Sequence, residues 1–444
     1  MTRDKLSPGG ITRRGVAKML AGAALTSLTQ SPSIWSQSTA LQDQRNDFPL
    51  SPEEDSFLSD LERTACLFFY EQADPSNGLI LDRALNKNPN GALDPRRITS
   101  IAATGFGLTG LCIADKRGYL PFVNIRERVI TTLDFHLNKM EHQHGFFSHY
   151  NDGKSGKAFE FSEVSSIDTC ILLCGVLTCR AYFNDPKITD LATQLYHRVE
   201  WPWMLNGGLT FSMGWRPKSG FITTRWDHYC ELMMLYLLAI GTPTHSIDPS
   251  FWKNFARPRI DYGPYVFITA ADPLFVHQYS HAWFDFQGKH DAYADYFRNS
   301  VLATEAHKLF CLSLDRGYTD DYWGITASDW EHGYTAWGGP PLLGPVNGSV
   351  VPCAAAGSLA FVPGDCIRVL RALKQDFGND AWGRYGFCDC MHPQLNWYDP
   401  DVLGIDVGIG LLMAENLRSS FVWNTFMKNA EVNTAMQRVG FHSI

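Results

Sequence analysis

The chain has little charge for its length, and the charge it has is mostly acidic. Only 19% of the 444 residues are Asp, Glu, Lys or Arg, while 45% are hydrophobic, and this balance excludes an intrinsically disordered chain. The formal net charge is -8, although Lys and Arg outnumber acidic residues in the first 40 positions. The sequence therefore lacks the basic stripe of a nucleic-acid-binding protein, and a neutral ligand fits it better.

Paired CxxC spacings are also missing, although the chain contains 11 cysteines. Neither Cys388 with Cys390 nor Cys170 with Cys174 has the spacing of a zinc site. An odd number of scattered cysteines does not indicate a dense disulfide framework. We expect most of the cysteines to be small buried hydrophobes, and we expect the protein to need neither a metal nor a cofactor.

Beyond residue 40, no apolar run reaches the roughly 18–20 residues that a membrane-spanning helix needs. The first residues contain Arg13-Arg14, a short apolar stretch over 19–25 and a Ser/Pro/Gln-rich stretch to Ala40. This pattern is typical of a twin-arginine export signal, and a plain disordered basic tail is the alternative. We predict an export signal over 1–40, a flexible lead-in over 41–52, and a periplasmic or secreted protein without a membrane span.

What the sequence does contain, past about residue 50, is helical periodicity separated by loops rich in Gly, Pro and aromatic residues. Ser51-Pro52-Glu53-Glu54 is a good helix start, and that helix should end before Asp74. Further segments are predicted as helices at 100–116, 123–140, 164–183, 187–200, 226–240, 288–310, 364–377 and 404–428, and as short strands at 145–150 and 209–212.

So many helices with so little sheet can form a bundle, a solenoid or a closed toroid. No short repeat is visible, which weakens the solenoid, and no low-complexity linker interrupts 50–444. Long loops that carry Trp, Asp and His favour a closed scaffold with its site at one rim. We predict a monomer with a single all-α domain over residues 53–444, in which short β-hairpins can form at that rim.

Many of the 13 tryptophans lie beside Gly or Pro rather than within apolar runs. Examples are Trp201-Pro202-Trp203, Gly214-Trp215, Trp323-Gly324 and Trp337-Gly338. Loop aromatics of this kind suit a sugar, because the CH face of the sugar packs against the ring while its hydroxyls meet polar edges. Ordinary core packing is the alternative for each of them.

Glu231 is the strongest candidate for acid chemistry. It opens the most apolar helical segment of the chain, where partial desolvation favours the protonated form that a general acid needs. The alternative is a capping or ion-pair role with Arg225 or Arg216.

Other carboxylates also stand beside apolar segments. Glu163 and Asp168 precede an apolar helix and could face a cleft, although Asp168 could equally be a structural buried acid. Asp406 lies among apolar residues and glycines, where a ligand can approach the backbone closely. Asp399 and Asp401 look more like turn and N-cap residues.

Two further motifs could contact a ligand. Asp329 stands in a loop among aromatic residues and is a candidate for binding sugar hydroxyls. His277 and His281 have the i, i+4 spacing of a zinc pair but lack the Glu of the metalloprotease motif. Hydrogen bonding to a sugar or to the helix scaffold is the preferred interpretation of the two histidines, and metal binding is the alternative.

Several motifs occur in a fixed order over about residues 55–442. They are Tyr70–Ala73, Gly78–Arg83, Ser100–Leu108, Glu163–Thr169, Trp201–Trp203, Arg225–Glu231, His277–Trp283, Trp323–Asp329 and Trp382–Phe387. In these motifs the chain resembles the glycoamylase-like family, which includes bacterial endo-β-1,2-glucanases and related domains of cyclic β-1,2-glucan synthases. The resemblance implies an (α/α)6 toroid that acts on β-1,2-glucan.

The same resemblance implies that Glu231 is the general acid, and Asp406 the general base, of an inverting hydrolase. Asp401 and Glu415 lie near enough in the sequence to be alternatives for the base. Retaining relatives carry a glutamate nucleophile where this chain has Ala327, which favours inversion. The residues expected to hold glucose units are Glu163, Asp168, Trp203, Arg216, Trp226, His277, His281, Trp283, Asp329 and Arg384.

Three other functions compete with this interpretation. A polysaccharide lyase on the same toroid would need a base beside a cation that neutralises a uronate. The negative net charge of residues 41–444 would repel such an anionic polymer. A non-catalytic glucan-binding protein would have aromatics and hydroxyl-binding acids without a carboxylate pair across the cleft. A glycosidase of another linkage is the third. The expected partner in each carbohydrate case is an oligo- or polysaccharide.

Overall fold

The structure is a computed structural model, and it describes residues 48–444 apart from 122, 271–272 and 341–343. The predicted export signal over 1–40 and most of the lead-in lie outside the described residues. Within them the chain is mainly helical, and its strands are two to four residues long. The predicted helical class is confirmed at this level, while short strands are more numerous than the sequence indicates.

The helices range from 5 to 20 residues in length. The α-helices in the described part are α1 (Pro52–Glu71), α2 (Ile101–Arg117), α3 (Ile125–Asn138), α4 (Ser166–Phe183), α5 (Pro186–His197), α6 (Trp201–Leu205), α7 (Met233–Gly241), α8 (Tyr279–Trp283), α9 (Tyr296–Ser313), α10 (Pro352–Ala356), α11 (Pro363–Ala381), α12 (Gly404–Ser419), α13 (Phe421–Phe426) and α14 (Ala430–Arg438). Short 3-10 turns cover Pro249–Lys253, Leu274–His277 and Pro393–Leu395.

The strands form small antiparallel pairs. They are β1 (Arg83–Leu85), β2 (Ile98–Ser100), β3 (His142–Gln143), β4 (Phe146–Phe147), β5 (Tyr150–Asp152), β6 (Val164–Ser165), β7 (Phe211–Ser212), β8 (Gly214–Arg216), β9 (Gly220–Phe221), β10 (Arg225–Trp226), β11 (Arg259–Tyr262), β12 (Tyr265–Ile268), β13 (Lys289–His290), β14 (Ala327–Ser328), β15 (Thr335–Ala336), β16 (Trp382–Gly383), β17 (Gly386–Phe387), β18 (Met391–His392), β19 (Trp397–Tyr398), β20 (Asp401–Leu403) and β21 (His442–Ser443). The pairs are β1–β20, β2–β5, β3–β4, β7–β10, β11–β12, β13–β21, β14–β15, β16–β17 and β18–β19, and β6–β8–β9 form a three-stranded sheet.

Helix α1 begins where the sequence predicts. Ser51 is its N-cap, and the Ser51 hydroxyl accepts a hydrogen bond from the Glu54 backbone N–H while Glu54 accepts one from the Ser51 N–H. This reciprocal capping box satisfies two backbone donors that have no partner inside the helix. Phe68 and Phe69 of the same helix are fully buried, so α1 packs its apolar face inward and ends at Glu71, before Asp74.

Six helices form the buried layer of the molecule: α2, α4, α7, α8, α10 and α12. Helix α2 packs against α4 and α12, α4 packs against α7, and α12 packs against both α8 and α10. Helices α7 and α8 are joined by a hydrogen bond from the Met234 N–H to Ser280 Oγ (3.1 Å). Gln278, which directly precedes α8, donates to the Ala354 carbonyl oxygen of α10 (2.9 Å). The contacts therefore run from one helix to the next and return to α2.

More amphipathic helices cover this layer. Helix α1 packs against α2 and α12, α5 packs against α4 and α3, α11 packs against α10, and α14 packs against α7. Their inward stripes of apolar residues continue the core, as the 3.6-residue period of their sequences predicts.

Short strands bring the starts of three buried helices together. Strands β2, β6 and β20 lead directly into α2, α4 and α12. Strand β20 pairs with β1, and the Asp82 N–H that precedes β1 bonds to the Ile98 carbonyl of β2 (2.9 Å). Strand β2 pairs with β5, and the His149 N–H just before β5 bonds to the Glu163 carbonyl just before β6 (2.9 Å). The N-terminal ends of these helices consequently lie along one rim.

Three predicted helix boundaries are wrong. The predicted helix 226–240 begins only at Met233, and the one predicted at 288–310 begins at Tyr296. The predicted segment 404–428 is interrupted at Ser420, whose φ of 54° is left-handed. The sequence also misses the short helices α6, α8 and α10 and the terminal α14.

One described helix, α4, is long and apolar enough by length and composition to cross a membrane. About four fifths of its 18 residues are buried inside the protein (78%). A buried core helix passes the same test, so α4 is weak evidence for a membrane span.

The cysteines behave as the sequence predicts. All 11 are buried, and none forms a disulfide.

Candidate functional site

Glu231 lies in the turn between β10 and α7 and is buried (5% exposed). The two predicted ion-pair partners, Arg225 and Arg216, also contact other groups. Arg225 donates to the Leu205 carbonyl (2.7 Å) and to Thr210 Oγ1 (3.1 Å). Arg216 lies 3.4 Å from a Glu163 oxygen. Arg225 is thus held by the segment around Leu205 and Thr210, and Arg216 lies beside Glu163.

Asp406 occupies the first turn of α12 and is also buried (6% exposed). Tyr279 donates from its hydroxyl to Asp406 Oδ1 over 3.4 Å. The N-terminal end of a helix favours a carboxylate, because its backbone N–H groups carry partial positive charge.

Helix α8 connects the two candidate catalytic residues. Ser280 donates from Oγ to the Glu231 carbonyl oxygen (2.7 Å), while its neighbour Tyr279 contacts Asp406. Since consecutive Cα atoms are about 3.8 Å apart, one short buried segment anchors both Glu231 and Asp406. The two acids, which are 175 positions apart in the sequence, are thus brought to the same part of the interior.

Asp401 and Glu415, the two alternatives for the general base, form ion pairs with basic residues. Asp401 lies in β20 and pairs with the Arg96 guanidinium through two contacts (2.5 and 2.8 Å). Glu415 lies near the other end of α12, where it pairs with Lys116 (2.8 Å) and Arg117 (2.9 Å). Nine residues of helix separate it from Asp406, which corresponds to about 14 Å.

Glu163, Asp168 and His149 form a buried polar cluster in front of α4. His149 Nδ1 lies 3.3 Å from a Glu163 oxygen and 3.6 Å from Asp168 Oδ2. Asp168 also accepts a short hydrogen bond from the Ser165 hydroxyl. The register of β6 and β8 brings Arg216 beside Glu163.

This His149 cluster is the one place in the described residues where metal-ligating atoms of three His, Cys, Asp or Glu side chains lie within 4.8 Å of one another. Such a set could hold a cation. The Arg216 guanidinium already supplies a positive charge to Glu163, so the same cluster also suits the hydroxyls of a neutral sugar.

Tyr150 lies between the His149 cluster and the carboxylates near β1. Its ring stacks on the His149 ring at a centroid distance of 3.8 Å. Burial, with the charges of Asp82 and Asp168, raises the pKa of the Tyr150 hydroxyl well above its usual range despite the opposing charge of Arg83. Tyr150 therefore remains a neutral donor between two groups of acids.

Asp329 is fixed by an ion pair rather than free for a ligand. It follows β14 and contacts the Arg83 guanidinium, which also pairs with Asp82 (2.9 Å). Burial raises the pKa of the Asp329 carboxyl, and the charges of Asp82 and Asp401 add to this while Arg83 opposes it. The pair bridges strand β1 to the loop after β14.

Asp389 and Asp399 are buried acids whose placement the sequence does not reveal as part of the site. Asp389 accepts a hydrogen bond from the Asp329 N–H (2.7 Å). Burial and the charges of Asp406, Asp399 and Asp329 raise the pKa of Asp389 well above its usual range. Burial raises the pKa of Asp399 to about 7, and its Oδ1 accepts from the Asp401 N–H (2.8 Å), which fits the predicted turn role.

The sequence contains a signal for Asp389 that is easily missed. The acid stands between Cys388 and Cys390, two small residues that are both buried, so burial of the intervening carboxyl could have been inferred from that setting. Arg83, His149 and Tyr150 carry no comparable local signal, because their roles depend on tertiary partners.

Two predicted platform tryptophans have different environments. Trp203 is half-buried, stacks on His144 (4.5 Å between ring centroids) and contacts Phe221 (4.9 Å). Trp226 is buried, and its Nε1–H donates to Ser166 Oγ at the start of α4 (2.8 Å). Trp203 thus offers part of a ring face, whereas Trp226 is mainly a packing residue.

His277, His281 and Trp283 are all buried, with His277 at 4% exposed. His281 and Trp283 are completely buried. His281 Nε2 lies 3.0 Å from Ser300 Oγ, and Trp283 Nε1–H donates to Thr109 Oγ1 (2.9 Å). Burial lowers the pKa of both His277 and His281 to about 3. The contact of His281 with Ser300 fits the scaffold interpretation of the histidines, and the sugar contacts of the three residues stay a prediction.

Arg384 forms an ion pair with Glu71 at the end of α1. Its guanidinium binds both oxygens of Glu71 (2.6 and 2.5 Å) and donates to the Pro89 carbonyl (3.1 Å). Its donors are largely occupied by the protein, so the predicted sugar contact has little support.

Comparisons with known proteins give similarities of one kind. A glycoamylase family model described as "Putative glucoamylase" matches residues 223–430. The chain is 26% identical over 437 residues to an exo β-1,2-glucooligosaccharide sophorohydrolase (non-reducing end) from Parabacteroides distasonis. That alignment covers 88% of this chain and 58% of the relative, so the chain spans little more than half of the relative's length.

Solved structures give the same result. An endo-β-1,2-glucanase from Chitinophaga pinensis, in complex with sophorotriose and glucose, is 26% identical with a TM-score of 0.81, covering 89% of this chain and 99% of that one. A β-1,2-glucanase from Parabacteroides distasonis is 25% identical with a TM-score of 0.80, covering 88% of this chain and 60% of that one. The resemblance to the glycoamylase-like family that the sequence motifs indicate is therefore confirmed.

Proposed function

We propose that this protein is a glycoside hydrolase that cleaves β-1,2-glucan by an inverting mechanism. Glu231 protonates the leaving oxygen, directly or through a substrate hydroxyl. Asp406 activates a water molecule on the opposite face of the sugar. The mechanism needs no cofactor.

The observation that carries this proposal is the anchoring of both acids by α8. Ser280 holds the backbone carbonyl of Glu231, and the adjacent Tyr279 holds the carboxylate of Asp406. An inverting reaction needs two carboxyl groups that share one substrate site with room for a water between them. The engagement of Asp401 by Arg96 and of Glu415 by Lys116 favours Asp406 as the base.

The relatives support β-1,2-glucan as the substrate. The sophorohydrolase and the two glucanases are named for this linkage. Glu163, Asp168, Arg216 and Trp203 are proposed to hold glucose units, because they combine hydroxyl-binding groups with an accessible ring. Ala327 stands where the retaining relatives are expected to carry a nucleophile, which supports inversion.

The fold and the location of the protein are part of the proposal. The contacts that run through α2, α4, α7, α8, α10 and α12 and return to α2 support a closed (α/α)6 toroid over residues 53–444. The twin-arginine pattern of residues 1–40 supports export to the periplasm or beyond.

A substrate panel tests the proposed activity. We expect linear β-1,2-glucan to yield short oligosaccharides on chromatography, while β-1,3-glucan, β-1,4-glucan and starch remain intact. Proton NMR of the first product should show the α-anomer, as inversion requires. Binding without cleavage would favour a glucan-binding protein, an unsaturated product a lyase, and cleavage of a control polymer another linkage.

A further inference from the structure

Asp389 and Asp406 line a common cavity. This cavity has a volume of about 40 Å³ and lies where α1 and α10 meet the start of α12. Since one water molecule needs roughly 10–15 Å³ on this scale, the space accommodates a small number of waters. Most of the remaining lining is apolar, apart from Tyr385 and the thiols of Cys353 and Cys388.

One oxygen of Asp389 has no donor to stabilise a negative charge. The side chain is 4% exposed, and its Oδ2 accepts from the Asp329 N–H. Its Oδ1 is buried and has no hydrogen-bond partner in the part of the chain that the structure describes. A charged oxygen in that position would lose hydration without compensation, whereas a protonated Oδ1 becomes a donor that can use an acceptor in the cavity.

The groups that face Asp389 are predominantly acidic. They are Asp406 on α12, Asp399 in the turn before β20, Asp329 after β14, Cys353 on α10, and the neighbouring Cys388 and Cys390. Arg83, a cation in this region, pairs with Asp82 and Asp329. Two carboxyl groups in one poorly solvated cavity do not both ionise readily, so one of them keeps a proton.

We propose that Asp389 is a positioning residue that stays protonated and donates a hydrogen bond to Asp406, directly or through a cavity water. Asp406 is then the ionised member of the pair, held by Tyr279 as well. The proton of Asp389 is not consumed, because Asp406 takes the proton of the attacking water and later returns it to solvent. This inference rests on the proposed function, since it takes Asp406 to be the base.

The pH profile of two variants tests the positioning role. Asp389→Asn retains the volume and a donor, so we expect the acid limb of kcat/KM on β-1,2-gluco-oligosaccharides to stay within about 0.3 pH unit of the wild type. Asp389→Leu removes the donor, and we expect the limb to move upward by about one pH unit, because ionised Asp406 loses a charge-assisted hydrogen bond. An unmoved limb in an active Asp389→Leu variant would overturn the proposal.

Thermal stability tests the proton on Asp389 without any activity. Because its folded-state pKa is raised, the wild type loses stability as pH increases from about 4 toward that pKa, and an Asn side chain does not. The melting temperature of Asp389→Asn minus that of the wild type should therefore increase between pH 4.5 and 8. The control Asp380→Asn, whose side chain is 65% exposed, should give a constant difference.

The two measurements separate the inference from the proposed function. A wild-type protein that cleaves no glucan but shows the rising difference in melting temperature would contradict the hydrolase proposal and keep the protonated Asp389. A constant difference for Asp389→Asn, in a protein that does cleave β-1,2-glucan, would overturn the protonated Asp389 alone.

Discussion

The buried acids of this protein are stabilised in different ways, and the difference decides what each can do. Asp401 is neutralised by Arg96, and Glu415 by Lys116 and Arg117. No cation is paired with Asp389 among the described residues, and burial raises the pKa of its carboxyl well above the usual range. A carboxylate tied to an arginine is a poor base because the ion pair lowers its proton affinity. Asp406 accepts a hydrogen bond from the neutral Tyr279 hydroxyl, which is compatible with the proposed role of a base.

Phe161 is an exposed aromatic residue beside the His149 cluster. Its ring is stacked on Phe159 (5.3 Å, 8° between planes) and lies 6.1 Å from the Tyr150 ring, yet the residue is 54% exposed. We expect Phe161→Ala to increase KM for β-1,2-glucan by roughly 2- to 10-fold with kcat nearly unchanged, because apolar area buried between a sugar and the ring contributes on the order of 0.5–1.5 kcal/mol.

The control for this prediction is Val266→Ala. Val266 is similarly exposed (49%) but lies on the β11–β12 hairpin that packs against α9. Steady-state kinetics give KM for both variants and the wild type. Equal KM values for Phe161→Ala and the wild type would show that Phe161 does not bind the substrate.

Helices α2 and α4 approach each other through glycine. A Cβ atom on Gly175 of α4 would lie 2.1 Å from the Gly105 carbonyl oxygen of α2. We therefore expect Gly175→Ala to lower the free energy of unfolding by about 1–3 kcal/mol, because the backbones must separate to admit a methyl group. Urea denaturation measures the change.

Gly364→Ala is the matched control for that substitution. Gly364 is also helical, in the first turn of α11, and the nearest atom to an added Cβ is on Phe48 at 3.6 Å. The control should leave stability within about 0.5 kcal/mol of the wild type. Similar midpoints for Gly175→Ala and Gly364→Ala would contradict the close packing of α2 on α4.

A helix boundary can be predicted from the sequence when the hydrogen bonds that fix it are local. Helix α1 is predictable because its capping box is local, within Ser51–Glu54. The start of α7 is not, because Tyr229 donates its N–H to the Ala256 carbonyl (2.8 Å) and Ala256 donates to Asp227 (2.8 Å). These distant backbone bonds hold 227–229 out of the helix, although the apolar period of 226–240 continues through it.

The same distinction applies to the candidate site. Glu231 and Asp406 were predicted because each stands out against an apolar local sequence. The Arg83–Asp329 ion pair joins residues 246 positions apart, and no local pattern indicates it. The burial of His281 and Trp283 could not be predicted for the complementary reason, since a motif of polar and aromatic residues is compatible with either a binding surface or a core.

Four histidines make the stability of the whole molecule sensitive to acid. Burial lowers the pKa of His277 and His281 to about 3 and that of His136 and His307 to about 4. Below about pH 6.5 the unfolded chain binds protons that the folded chain cannot bind, so stability is lost as pH falls from 6.5 toward 4. Burial raises the pKa of Glu62 to about 8. This has the opposite effect, because stability is lost as pH increases from about 4.5 to 8.

His307→Gln tests the histidine contribution. Gln can still accept the hydrogen bond that His307 Nε2 takes from the Ile325 N–H (3.1 Å), but it does not titrate. We expect the variant to be less stable than the wild type at pH 7.5 and the deficit to shrink by about 2 kcal/mol between pH 6.5 and 4.5. Denaturant unfolding at several pH values measures the deficit, and one that does not change with pH would refute the assignment.

The central claim is that Glu231 and Asp406 together hydrolyse β-1,2-glucan, and the initial rates of two variants test it most directly. Glu231→Gln and Asp406→Asn should each lower kcat by about 10²–10⁴-fold while retaining the wild-type melting profile within a few degrees. Glu160→Gln, a surface carboxylate that is 92% exposed, should retain full activity. Loss of activity in both variants, with the control active, is the result we predict; near wild-type kcat in either variant would contradict the account.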